Sequence, residues 1–187
     1  RGVASLILAG LGLGPSDDLV EEVARAYELS TDAFRPRENP EALRILGLLK
    51  SSGIRVAIVS NTSFSARGVR AILSNVGISD YVDVIVSSSD VGYLKPQRRI
   101  FQSLLEALGV KASEVVHVGD SCVDDVLGAL ASGLGAVYYT GLLPLRGAEP
   151  DALCLSLVPT IGSLDELGRL LSLEQPWTAK PGGSSTS

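Results

Sequence analysis

The stretch "VVHVGDSCVDDVLGALASG" (115–133) decides the fold. Its first half is a β-branched apolar run ending in Gly119-Asp120, and its second half is a run of small residues closed by Gly133. A strand that turns directly into a helix is half of a βαβ unit. The turn also gathers three carboxylates, Asp120, Asp124 and Asp125. Like charges this close repel one another unless a metal ion, a helix N-terminus or a basic side chain compensates them. Asp124 suits the N-cap of the following helix, where a side-chain oxygen accepts a free backbone N–H. Asp120 and Asp125 then remain near one mouth of the sheet, and such oxygen-only ligands suit Mg²⁺, which keeps several of its waters.

The same alternation extends on both sides. "IRVAIVSN" (54–61), "VDVIVSS" (82–88), "EVVHVGD" (114–120) and "GAVYYT" (135–140) read as strands, and "ALCLSLV" (152–158) as one more. Between and after them, "FSARGVRAILSNVG" (64–77), "PQRRIFQSLLEALG" (96–109), "DVLGALASG" (125–133) and "SLDELGRLL" (163–171) read as helices. Strands alternating with helices of this length pair in parallel through right-handed crossovers. The expected fold is α/β, a doubly wound parallel sheet. The first fifty residues differ, with amphipathic helices at 17–34 and 40–53. Residues 1–35 are expected to be helical and outside the sheet, residues 36–174 to form the α/β core, and the tail 175–187, "QPWTAKPGGSSTS", to be disordered.

Composition removes several classes of function. A chain of 187 residues with 45% hydrophobic and 20% charged residues is long enough to bury a core. A net charge of −5 argues against a nucleic-acid or anionic-membrane surface, since both attract basic patches. No apolar run approaches the roughly 20 residues of a membrane span. Cys122 and Cys154 lie far apart without metal-type spacing, so reduced thiols in the cytoplasm are expected. The chain contains no methionine, not even at position 1, so it is expected to be processed or to be part of a longer polypeptide.

Two further motifs carry no chemistry. "GLGLGP" (10–15) has G-x-G-x-G spacing rather than that of a dinucleotide loop and reads as a turn between helices. His117 is the sole histidine, inside an apolar strand, and reads as a packed or hydrogen-bonded core residue. Ser60-Asn61 and Lys95 are different because each stands just past the end of a strand. Ligands of parallel sheets bind at the carboxyl ends of strands. Taken singly, Ser60 is a turn-capping hydroxyl and Lys95 a surface charge before a helix N-terminus.

Together they form an ordered set: a hydroxyl, a lysine and an acidic pair at three successive strand ends. In that order the chain resembles the haloacid dehalogenase superfamily from about residue 40 to 171, with Ser60 in "VAIVSN", Lys95 in "GYLKP" and the acids of "VGDSCVDD". Residues 1–35 resemble the end of that family's helical cap. The resemblance implies Mg²⁺-dependent hydrolysis of a small phosphorylated metabolite through an aspartyl-phosphate. It assigns Ser60 and the Asn61 backbone to a phosphoryl oxygen, Lys95 to charge neutralisation, and Asp120 and Asp125 to the metal. The family's Asp-x-Asp nucleophile motif does not occur in residues 1–187, so an upstream segment of the same polypeptide is expected to supply it. The alternatives are a metal-independent 2-haloacid dehalogenase and a non-catalytic phosphoryl-binding protein.

Overall fold

The computed structural model describes residues 1–14, 16–37 and 39–173. The expected tail, 175–187, lies outside the described residues. Two helices open the chain, α1 (Gly2–Gly10) and α2 (Asp17–Leu29), and pack on each other through Ala4, Leu8 and Val20. Ser16 caps α2 by accepting the Leu19 N–H, and Asp17 and Asp18 stand in its first turn, where the helix dipole favours them.

Helix α3 (Pro40–Ser51) follows, capped by Asn39 with Pro40 in its first turn. The alternating part is β1 (Ala57–Ser60), α4 (Ala66–Asn75), β2 (Val84–Ser87), α5 (Ser88–Val91) and α6 (Arg98–Leu108). It continues with β3 (Val116–Gly119), a π-helical turn Cys122–Leu127, α7 (Gly128–Ala131), β4 (Gly135–Tyr139), α8 (Ala152–Leu157), β5 (Thr160–Ile161) and α9 (Asp165–Leu170). α6 ends on Gly109 at φ 66°, a left-handed cap that costs glycine little.

Among the described residues all pairing is parallel, as a doubly wound α/β fold requires, but it forms two sheets. One is β1-β2 and the other β3-β4-β5. Both sheets contribute to a common core in which Val59 and Val86 share a buried cluster with Ile100, Phe101, Val126, Ala136 and Tyr138. A second cluster, on Ile45, Leu49, Val137, Tyr139, Ile161 and Leu167, joins α3 and α9 to the three-stranded sheet. Burial is inverted relative to an unbroken sheet. β4 is buried at every position but its first, whereas β1 has a single buried residue and β3 none. Among the described residues no strand pairs with the second edge of β1 or of β3, and residues 3–9, the available substitute, are helical.

The strand expected at 152–158 is instead α8. The apolar run is short, and its period cannot separate strand from helix. Asp151 decides it by accepting the Leu153 N–H and starting a helix, and only Cys154 of that helix is fully buried.

Candidate active site

Ser60 is the last residue of β1 and sits in register with Ser87, the last of β2. The hydroxyl of buried Ser87 donates to the Phe64 carbonyl, and Ser88 Oγ both donates to Thr62 O and accepts the Thr62 N–H, each at 2.9 Å. These two serines hold the loop after Ser60 against the end of β2. Sequence reasoning missed them, although the run "SSSD" at 87–90 is an unusual density of hydroxyls for a strand end.

Asn61 acts through its side chain. Its Oδ1 accepts the Lys95 N–H at 2.7 Å and its Nδ2 donates to the Lys95 carbonyl at 3.0 Å. This two-way clamp fixes the backbone of Lys95 to the end of β1. From there the Lys95 ammonium donates to Asp125 Oδ1 at 2.5 Å. The pair is largely withdrawn from solvent, with side-chain exposures of 12% for Lys95 and 6% for Asp125.

Asp125 is the hub of the site. Its Oδ1 also lies 2.9 Å from His117 Nε2, and its Oδ2 accepts the Ser121 N–H at 2.9 Å. His117 is therefore a hydrogen-bonded core histidine whose partner is a site acid, which its sequence context did not reveal. Burial pushes the Asp125 carboxyl up, but the hydrogen bonds from His117 and Lys95 outweigh it and hold the group well below the usual carboxylate range. Gly119 makes room for this arrangement. A Cβ there would fall 2.2 Å from Asp125 Cγ.

The expected N-cap at Asp124 is corrected. Ser121 caps the turn by accepting the Asp124 N–H at 3.1 Å, because the turn begins three residues earlier than the small-residue run suggests. The Asp125 and Val126 N–H groups both reach the Ser121 carbonyl, at 3.0 and 3.2 Å, which gives the turn its π character.

Asp120 follows β3 directly. Arg146 Nη1 stands 2.5 Å from its Oδ2, yet that buried oxygen has no aligned hydrogen-bond donor. A carboxylate at a strand end whose counter-charge is an exposed arginine also suits a hard cation. Asp120 thus fits as a direct Mg²⁺ ligand. Asp125 already accepts three donors, and it fits better as the group that holds Lys95 and the turn.

The expectation of reduced thiols is overturned. Cys122 and Cys154 form a disulfide, with Cα atoms 5.8 Å apart and a sequence separation of 32. Sequence separation hides this pairing because α8 brings Cys154 back beneath the acidic turn. The N-terminal helices lean on the same mouth. Tyr27 stacks on Phe64 at 4.7 Å, its hydroxyl lies 2.7 Å from Ser63 Oγ, and Glu28 Oε2 accepts the Ser65 N–H. Among the described residues no helix is long and apolar enough to cross a membrane.

Comparisons with known proteins identify the family. A haloacid dehalogenase-like hydrolase family model matches residues 8–133, which includes Ser60, Lys95, Asp120 and Asp125. The chain is 32% identical over 134 residues to a ribulose-1,5-bisphosphate 5-phosphatase of Halopiger xanaduensis, covering 72% of this chain and 55% of the relative. A HAD phosphatase structure from Thermococcus onnurineus superposes with a TM-score of 0.65 at 28% identity, covering 91% of this chain and 71% of that one. A 2-haloacid dehalogenase from Pseudomonas syringae pv. Tomato DC3000 gives the same TM-score of 0.65 at 25% identity, covering 85% and 64%. The chain spans about half the length of the curated relatives it matches, from 45% to 58%. With three strand ends carrying the hydroxyl, the lysine and the acids in that order, and a family match across all of them, this chain belongs to the haloacid dehalogenase-like hydrolases.

Proposed function

We propose that the complete protein is a Mg²⁺-dependent phosphatase acting on a small phosphorylated metabolite through an aspartyl-phosphate. The observation that carries this reading is the Lys95–Asp125 pair, clamped to the end of β1 by Asn61 and set beside Asp120. Phosphoryl transfer asks a protein mainly for positioning and charge stabilisation. Ser60 and the Asn61 backbone would hold a phosphoryl oxygen, and Lys95 would neutralise charge on the nucleophile and phosphoryl group. Asp120, with Asp125 behind it, would hold Mg²⁺, which when bound offsets charge on the phosphoryl oxygens.

The attacking carboxylate would arrive on an upstream segment of the same polypeptide. The unpaired second edges of β1 and β3, and their low burial within the core, support a parallel strand seated between the two sheets. In this reading residues 1–35 belong to a helical cap, residues 36–174 to the core, and the protein works in the cytoplasm. The metal-independent dehalogenase reading draws on the structural likeness to the Pseudomonas enzyme. It assigns Asp120 no role beyond its ion pair with Arg146.

The test compares this chain with a chain extended upstream by one strand. Both are assayed with p-nitrophenyl phosphate and small phosphorylated metabolites, with and without Mg²⁺, and with 2-chloropropionate for halide release. Mg²⁺-dependent phosphate release by the extended chain alone is expected. Equal turnover by the shorter chain would sink the upstream nucleophile, and inactivity of both would favour a phosphoryl-binding protein. Metal-independent halide release would favour the dehalogenase.

A further inference from the structure

The disulfide takes no part in the proposed chemistry. Cys122 lies two residues after Asp120 and three before Asp125, inside the turn that carries both acids. Cys154 is fully buried on α8. That helix is anchored in its own right, because the Asp151 N–H donates to the hydroxyl of buried Tyr138 on β4 at 3.2 Å. The bond therefore ties the acidic turn, through α8, to the buried strand of the three-stranded sheet. The turn needs such a tie. It is π-helical, a conformation seldom stable without local support, and Val123 on its outer face is exposed.

We propose that Cys122–Cys154 is a redox modification site whose state sets the order of the 120–127 turn and, through it, the grip of Asp120, with Asp125 behind it, on a divalent cation. The co-reactants are low-molecular-weight thiols. A thiolate attacks Cys122 Sγ, the less buried sulfur; the S–S bond breaks, and Cys154 leaves as a thiolate and takes a proton. A second thiol attacks the mixed disulfide, releasing Cys122 as a thiol and forming the small-molecule disulfide. Two thiols are oxidised and one protein disulfide is reduced, and the reverse exchange restores the bond. A buried cross-link of this kind in a cytoplasmic protein is either a sensor or a feature of proteins from very hot environments. The exchange experiment separates the two.

The cation half of the proposal rests on the metal-site reading above, so the two are measured separately. Oxidised protein, protein reduced with a dithiol, and Cys154→Ser are compared by amide hydrogen exchange and by calorimetric titration with Mg²⁺. Reduction is expected to speed exchange at residues 121–127 about 10-fold while the α6 amides, which report global folding, stay unchanged. It is expected to weaken Mg²⁺ binding by about 10-fold, the scale of losing an outer support of a ligand. Cys154→Ser should match the reduced protein and ignore the dithiol. Unchanged exchange at 121–127 on complete reduction overturns the inference whatever the metal does. Faster exchange with Mg²⁺ affinity within about twofold overturns its cation half, and no Mg²⁺ binding in either state overturns the metal-site reading itself.

Discussion

Replacing Lys95 by methionine keeps most of the side chain's length and removes the ammonium 2.5 Å from Asp125 Oδ1. Asp125 then stays buried with one charge partner gone. Breaking a buried pair in this way costs about 3–5 kcal/mol, because the remaining charge is uncompensated. Here Asp125 keeps His117 Nε2 and the Ser121 N–H, so the low end, about 3 kcal/mol, is expected. Urea unfolding at pH 7 measures the difference directly. Its pH dependence supplies a sign. The Asp125 carboxyl is held below its unfolded value, which for aspartate is about 3.9. Its contribution is complete above that value and is lost as pH falls through the lower folded value. Lys95→Met weakens the depression, so the gap between wild type and variant should be constant from pH 7 to about 5 and narrow below about 4. A gap under about 0.5 kcal/mol at pH 7, the range of ordinary surface substitutions, would refute the reasoning. So would a gap that widens on acidification.

Asp120→Asn should weaken Mg²⁺ binding by about 10- to 100-fold, while Asp124→Asn should change it less than threefold or so, since Asp120 directly follows β3 and Asp124 lies inside the turn. Equal losses would place Asp124 in the metal site. Ser121→Ala should cost about 1 kcal/mol of stability as a lost N-cap, read from chemical denaturation; no loss would mean that the turn is held by Asp125 alone. Gly119→Ala drives a Cβ into Asp125 and should cost about 1–3 kcal/mol while weakening Mg²⁺ binding. Wild-type values for both would show that Asp125 can move without consequence.

The strand-helix alternation and the order of the site groups were legible because both depend on local signals. β-branched runs, glycine and proline stops, and the position of a residue just past a strand end are visible within ten residues or so. The same locality explains the misses. Ser121 and Asp124 are both good caps, and the choice between them depends on where the π-helical turn starts. "ALCLSLV" is too short for its period to separate strand from helix, and Asp151 tips it.

From sequence alone came the parallel α/β class and the placement of Ser60 and Asp120 at strand ends, with Lys95 and Asp125 in the segments that follow β2 and β3, which follow from hydrophobic period and turn chemistry. Only the tertiary structure decided which of those groups touch. Lys95 and His117 converge on Asp125, Asp120 pairs with Arg146, Asn61 clamps Lys95, and Cys122 finds Cys154. It also divided the strands into two sheets. The physical reason is that pairing across a sheet or between loops depends on which edges meet in space. A one-dimensional pattern specifies each edge but not its neighbour.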